Sequence, residues 1–237
     1  MDFTNRHIVV TGGTGALGSA VVELLINAGA KCSVPCFDSK ELESFLQKDE
    51  QGVYIKTPVN LTDEKQCQSF FDLAVSAQGD LWGSIHIAGG FGMGNIEDTS
   101  KADFMKQINL NLVTCYNSCR AAVQHFKTQG NGGRIVNIAA RPALEPRQGA
   151  GMTAYTTAKA GVAALTQSLA AEVIEDNILV NAIAPSTIDT PQNRDSMPNA
   201  DFEKWPKPKQ LAKQIAYLVS SDNEVTRGDI ATVYGES

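Results

Sequence analysis

Long apolar runs are missing from this 237-residue chain. Nothing in it approaches the roughly 18 apolar residues that cross a bilayer, so no membrane span is expected. Clustered basic charge is missing too. Lys and Arg number 20 against 26 Asp and Glu, a formal net charge of −6, which has the wrong sign for a nucleic-acid surface. Histidine is scarce, and His7, His86 and His125 are scattered and form no ligand motif. The five cysteines are an odd number without paired spacing. Cys115 and Cys119 stand one helical turn apart and read as small buried thiols rather than a redox or metal pair. The opening MDFTNRHIVV enters a strand almost at once, with no basic segment, apolar stretch and cleavage site in series, so no secretory leader is expected. A cytoplasmic, metal-free protein is the expectation.

What is present is an alternation of short apolar runs with helical patterns. His7 to Thr11 (HIVVT) reads as a buried strand. Leu17, Val21, Leu24 and Ala28 then recur at helical spacing, with Gly29 as a stop. Residues 31–37 and 53–59 read as weaker strands, 81–88 as a fourth, 134–138 as a fifth, 178–184 as a sixth and 230–234 as a seventh. A long helical region is expected over about 101–128, and Val162, Leu165, Leu169 and Val173 mark one face of another helix. Strands separated by helices at this rhythm predict an α/β chain with a parallel, doubly wound sheet. No repeat or linker divides it, so a single domain over 1–237 is expected. Residues 185–209 hold five of the nine prolines, and such an irregular segment reads as a substrate loop or lid.

The first strand runs into TGGTGALG, residues 11–18. Gly13, Gly15 and Gly18 fit G-x-G-x-x-G between a strand and an amphipathic helix, the context this motif needs. Glycines permit the turn and the close approach of a pyrophosphate, while the helix N-terminus offers free N–H groups and partial positive charge. After the second strand comes PCFDSK. Asp38 lies 20 residues beyond Gly18, about where an acid would accept from the ribose of NAD. Cys36 or Phe37 could equally stand at the strand end, and Lys40 is the only close cation. The choice between NAD and NADP stays open.

Downstream, Tyr155-x-x-x-Lys159 places a phenol and an ammonium on one face at the start of a helix. A neighbouring ammonium favours the phenolate and is expected to lower the tyrosine below its usual value of about 10. Such a tyrosine can give a proton to a carbonyl oxygen, or take one from an alcohol, while hydride moves at the adjacent carbon.

With TGGTGALG, NLTD at 60–63, AGG at 88–90, NLNL at 109–112, Tyr155-x-x-x-Lys159 and NAIAPSTIDTP at 181–191, the chain resembles the short-chain dehydrogenase/reductase family along essentially its whole length. The resemblance implies a Rossmann fold with a seven-stranded, mostly parallel sheet and helices on both faces. It implies an NAD(P)-dependent oxidoreductase in which Tyr155 is the general acid/base and Lys159 holds the nicotinamide ribose and tunes Tyr155. Asn111 would anchor a water in the proton relay. The dinucleotide would lie against Thr11, Gly12, Gly13, Thr14, Gly15, Ala16, Leu17 and Gly18. Asp38 would meet the ribose, Asn60 and Leu61 the adenine, and Ala88, Gly89 and Gly90 would line the cofactor. Pro185, Ile188 and Thr190 would lie beside the nicotinamide. By the same resemblance the small residues Ala121, Ala122, Ala158, Ala160, Gly161, Ala163 and Ala164 would form the face of a homodimer or homotetramer.

Two departures stand out. Ala16 occupies a conserved glycine position. The family's catalytic serine, found as N-I-S-S, is absent, and the chain reads Asn137-Ile138-Ala139-Ala140. Losing such a donor can cost about 3 kcal/mol of barrier, so either Thr153, Ser186 or Thr187 supplies it or the substrate needs less help. The dihydropteridine reductases also lack this serine, and GGTGALGS, AGGF and 187–205 resemble them, which makes quinonoid dihydropterin an alternative substrate. Arg141 and Arg147 flank the vacant serine position and could bind an acidic group or stay solvated. Phe202 and Trp205 could cover a flat substrate or pack the lid. A binder without turnover, acting as a redox sensor, is the rival from another class. A methyltransferase with a similar nucleotide loop has no role for Tyr155 and Lys159.

Overall fold

A computed structural model describes residues 1–38, 42, 45 and 53–237. Its framework is one sheet of seven strands, all parallel. In chain order these are β1 (His7–Thr11), β2 (Lys31–Pro35), β3 (Val53–Lys56), β4 (Leu81–His86), β5 (Gly133–Ile138), β6 (Ile178–Pro185) and β7 (Ile230–Val233). The spatial order is β3-β2-β1-β4-β5-β6-β7. All seven expected strands are present. Those expected over 31–37, 53–59 and 81–88 stop two or three residues early, where the backbone leaves the ladder for the loops that line the site. The central strands are continuous apolar runs because both sheet faces are covered. Every residue of β1 and of β6 is buried.

The helices are α1 (Ala16–Asn27), α2 (Glu64–Gln78), α3 (Lys101–Gln107), α4 (Thr114–Gln129), the short α5 (Arg141–Leu144), α6 (Thr153–Glu172), α7 (Pro191–Ser196) and α8 (Pro208–Val219). On one face α1 and α8 cover Ile8, Val10 and Ile85 with Val21, Leu25 and Ile215. On the other, α2, α4 and α6 cover Val9, Ile135 and Val180 with Phe70, Phe71, Phe126 and Val162. Local chemistry sets the ends. Asp63 caps α2 by accepting from the amides of Lys65 and Gln66, and Gly130, at φ 70°, ends α4 in the left-handed conformation. The helical region expected over 101–128 divides into α3, a π-helical turn at Ile108–Val113, and α4.

Strand order reverses direction at β1 and β4. The crevice beyond their C-terminal ends is where open α/β sheets take ligands. A directed chain of buried hydrogen bonds ties the floor of this crevice together. Asn137 Nδ2 donates to Thr166 Oγ1 at 2.9 Å, and the Thr166 hydroxyl donates to the Val162 carbonyl at 2.8 Å. Asn137 Oδ1 must therefore accept, and His86 Nδ1–H donates to it at 2.8 Å. His86 Nε2 in turn accepts from the Ser84 hydroxyl at 2.8 Å. This network joins β4, β5 and α6. Thr166→Val leaves the Asn137 amide without an acceptor and is expected to cost about 1–3 kcal/mol. Urea denaturation should show this as a lower midpoint with an unchanged slope.

Candidate active site

The turn after β1 is built from the protein's own packing. Gly12 has φ 66°, and a Cβ there would lie 2.8 Å from the Ala88 amide nitrogen. A Cβ on Gly18 would collide with the Gly12 carbonyl oxygen. The tight-turn glycine is thus Gly12, one residue before the Gly13 that the G-x-G-x-x-G spacing selects. Gly15 differs, because a Cβ there would meet only the Gly12 carbonyl oxygen at an ordinary 3.5 Å. Nothing inside the described residues demands glycine at Gly15, which leaves room for a ligand against the turn. Gly15 also caps α1 without any side-chain hydrogen bond, so the first-turn amides keep their donors for an anion. A pyrophosphate fits this cradle. Ala16 opens α1 itself, and Leu17 is buried beneath it.

Across the crevice, Thr11 Oγ1 accepts from the Ala88 amide at 3.2 Å, locking the end of β1 to the loop after β4. That loop is then pinned by Asn111. Its Oδ1 accepts from the Gly90 amide at 3.1 Å, and its Nδ2 donates to the Gly90 carbonyl at 2.9 Å and to Gln107. Asn111 is 1% exposed and stands within the π-helical turn, a distortion that recurs at functional sites. A Cβ on Gly89 would fall 2.7 Å from Asn111 Oδ1 and 3.6 Å from Lys159 Nζ. Asn111 and Lys159 therefore converge on Gly89 from two helices.

Lys159 is buried at 6% exposure, and its Nζ donates to the Ile138 carbonyl at 2.8 Å. Burial pulls its pKa down to about 8. Tyr155, one turn earlier, has its ring centroid 5.9 Å from that Nζ, and the Phe91 ring packs edge-on against it at 5.1 Å and 78°. The expected lowering of Tyr155 is not found. Burial pushes the phenol up to about 12. Tyr155 is thus held protonated.

Ala139 and Ala140, 1% and 5% exposed, put methyl groups where the family has hydroxyls. Of the proposed substitutes, Thr153 is exposed and two residues, about 200° of helix, from Tyr155. The Ser186 hydroxyl donates to the Tyr234 carbonyl at 2.6 Å. Thr187 is half-buried at the crevice end of β6. The sequence did not draw attention to Thr156, whose buried hydroxyl, packed against Gly149, has no hydrogen-bond partner among the described residues.

The other expected cofactor contacts lie in ordered turns. Asn60 Oδ1 accepts from Thr62, and the Leu61 carbonyl accepts from Asn117 Nδ2. Asp38 follows β2 at the surface, and its carbonyl accepts from the Cys36 thiol. Thr14 lies in the glycine turn and Lys40 outside the described residues. Pro185 ends β6, Asn193 Nδ2 donates to the Ile188 carbonyl, and the Thr190 hydroxyl oxygen caps α7. In the 185–209 segment Arg194 grips Asp189 through two bonds of 2.6 and 2.8 Å. Trp205 is 6% exposed, so it packs the lid, while Phe202 leans on it. Arg141 is engaged by Glu145 and the Ser237 carbonyl and lies over the Tyr234 ring, and Arg147 is exposed. Ala121, Ala122, Ala158 and Ala163 are buried inside their own chain, and a Cβ on Gly161 would press on Leu112. Of the same set, Ala160 and Gly161 are half-buried and Ala164 is exposed. No described helix is long and apolar enough to cross a membrane.

The fold also does what residue spacing did not foretell. It sets His86 beside Cys115 and Cys119, with all three ligand atoms within 4.8 Å of one another.

Comparison with known proteins agrees with this geometry. A family model described as "short chain dehydrogenase" matches residues 6–201. The 2-dehydro-3-deoxy-D-gluconate 5-dehydrogenase of Escherichia coli is 30% identical over 96% of this chain and 93% of its own. The levodione reductase of Leifsonia aquatica is 28% identical over 98% and 94%, and a levodione reductase crystal structure superposes with a TM-score of 0.89 at 26% identity over 98% and 97% of the two chains. A short-chain type dehydrogenase/reductase from Mycobacterium ulcerans, 22% identical over 100% and 90%, shares the fold with a TM-score of 0.92. None of these carries a pterin in its name.

Gly18→Ala, by forcing the turn off α1, is expected to weaken NADH or NADPH binding by roughly tenfold or more, about 1.4 kcal/mol. Titration of nicotinamide fluorescence checks this, and unchanged affinity would remove the turn from the binding site.

Proposed function

The chain belongs to the short-chain dehydrogenase family, whose members are oxidoreductases that bind NAD or NADP, and from that premise we propose that it interconverts a small carbonyl compound and its alcohol with Tyr155 as general acid/base. The observation that carries this reading is the meeting of Asn111 and Lys159 at Gly89, with Tyr155 one helical turn from Lys159, at the crevice where the glycine turn opens. The residues proposed to hold the dinucleotide are Thr11 to Gly18, Asp38, Asn60, Leu61, Ala88 to Gly90, Lys159, Pro185, Ile188 and Thr190. When bound, the nicotinamide supplies or accepts the hydride.

The chain's own part is proton management and orientation. In reduction, Tyr155 Oη gives its proton to the carbonyl oxygen as the carbon gains hydride, and a phenol held near 12 is fully protonated for that task. Lys159, charged below about 8, has its Nζ 5.9 Å from the Tyr155 ring centroid and supports the phenolate formed in the step. Asn111 fixes the loop that borders the reacting centre. Ala139 and Ala140 offer no second donor to the substrate oxygen, so the reading includes an electron-poor carbonyl, which needs less stabilisation in the transition state. Quinonoid dihydropterin is not favoured by the relatives found. A binder without turnover would leave the Tyr155–Lys159–Asn111 arrangement without a task.

Tyr155→Phe is expected to lower kcat for carbonyl reduction by ~10²–10⁴-fold while the cofactor dissociation constant stays unchanged. Equal turnover by the variant would sink the assignment. A pH profile gives a second check. Lys159 loses its proton as pH rises through about 8, so the reduction rate should hold below that value and decline above it. Lys159→Met should abolish this decline along with most of the activity.

A further inference from the structure

Behind Lys159 lies a cluster that the hydride-transfer reading does not use. Asn111, Cys115 and Cys119 follow one another at four-residue intervals along the π-helical turn and α4, and so share a face. Asn111 reaches the Gly90 loop, while the two thiols lie deeper, against the end of β4. Cys115, Cys119 and His86 are 4%, 2% and 3% exposed, and their ligand atoms lie within 4.8 Å of one another. Cys119 Sγ is already 3.4 Å from His86 Nδ1.

We propose that His86, Cys115 and Cys119 form a buried site for one thiophilic divalent cation of the zinc or cadmium class, with Asn137 Oδ1 at the fourth corner. Four observations support it. First, the donor set is two sulfurs and one imidazole nitrogen, the set that tetrahedral zinc selects. With metal–sulfur bonds of about 2.3 Å and metal–nitrogen bonds of about 2.0 Å, tetrahedral donors stand about 3.5–3.8 Å apart. The Cys119–His86 pair meets that spacing, and the others, at 4.8 Å or less, close by at most about 1.3 Å.

Second, a fourth donor lies beside the three and needs to open from His86 by only about 0.5 Å to bind. Asn137 Oδ1 is 2.8 Å from His86 Nδ1 and 3.5 Å from Cys119 Sγ, and its amide nitrogen is anchored on Thr166. Third, His86 has an outer partner of the kind that orients metal-bound imidazoles, Ser84 Oγ at 2.8 Å from Nε2. Fourth, the charges cancel. Two thiolates neutralise a divalent cation, so the loaded site carries no net charge into a core where an unpaired charge would be costly.

The proton balance is explicit. The cation displaces one proton from each thiol, and both leave to solvent. The imidazole stays neutral, its proton moving from Nδ1 to Nε2, where it is donated to Ser84 Oγ instead of received from it. The Nδ1 lone pair and Asn137 Oδ1 are then free to bind the metal.

The test uses the reduced full chain after treatment with a chelator, titrated with Cd²⁺ both in the native state and during refolding, since the buried donors can load by either route. The expected result is a thiolate-to-cadmium charge-transfer band that saturates at one equivalent, releases two protons per cation and is displaced by Zn²⁺. Cys115→Ser and Cys119→Ser should each abolish saturation at one equivalent, whereas Cys32→Ser, on β2, should keep it. No band by either loading route overturns the proposal, as does a band that survives Cys119→Ser. Should the serine variants fail to fold, X-ray absorption of the zinc-loaded wild type decides. Two sulfur and two nitrogen or oxygen neighbours support the site, and any other set refutes it.

Discussion

One buried ammonium holds the site together. Lys159 donates to the carbonyl of the last residue of β5, and in doing so fixes the depth at which α6 lies on the sheet. Tyr155 rides one turn earlier on the same helix, and Asn111 and the Gly89–Gly90 turn close on the lysine from the other side. Burying that charge has a cost. The folded-state value near 8 lies below the ordinary 10.5, so between those limits the unfolded chain binds more protons than the folded one. The penalty is therefore fully present below about 8 and fades as pH rises toward 10.5. A fold that retains such a charge must be stable for other reasons, and the two apolar faces of the sheet supply them. The Ser84–His86–Asn137–Thr166 chain then supplies direction, since each group has one defined donor or acceptor role.

Much of this was legible in the residues. The seven strands could be read because a parallel sheet covered on both faces requires uninterrupted apolar runs, and these runs are rare elsewhere in the chain. The glycine turn and the tyrosine–lysine pair were legible because each is local, with all its members within one turn or one helix. What escaped is what depends on partners distant in sequence. Gly12 rather than Gly13 makes the tight turn because of Ala88, 76 residues away. Tyr155 rises rather than falls in pKa because the fold buries its phenol. His86 and the two cysteines look scattered in sequence and are neighbours in space because β4 ends against α4. The π-helical turn leaves no trace in hydrophobic periodicity, since a single wide turn shifts the pattern by only one residue.

The same distinction applies to the alanines that replace the family's serine. Their identity was plain in the sequence, but their meaning depends on surroundings. They are buried, and the hydroxyl of Ser186 is committed elsewhere. Arg141, the nearest cation in sequence, is bound by Glu145 and by the end of the chain. Phe91 packs at the edge of the Tyr155 ring, and the proposed acid stands without a neighbouring serine to share the substrate oxygen. On the proposed reading, such an arrangement suits substrates whose carbonyl carbon is already electron-poor.

The most direct measurement is a fluorescence titration of the purified protein with NADH and with NADPH, followed in the same cuvettes by addition of a diketone, an aromatic aldehyde and a β-ketoacyl thioester. The account expects saturable binding of at least one dinucleotide and its oxidation when an activated carbonyl is added. Tight binding with no oxidation by any of them would contradict it, and would make this chain a dinucleotide binder that carries a catalytic arrangement without using it.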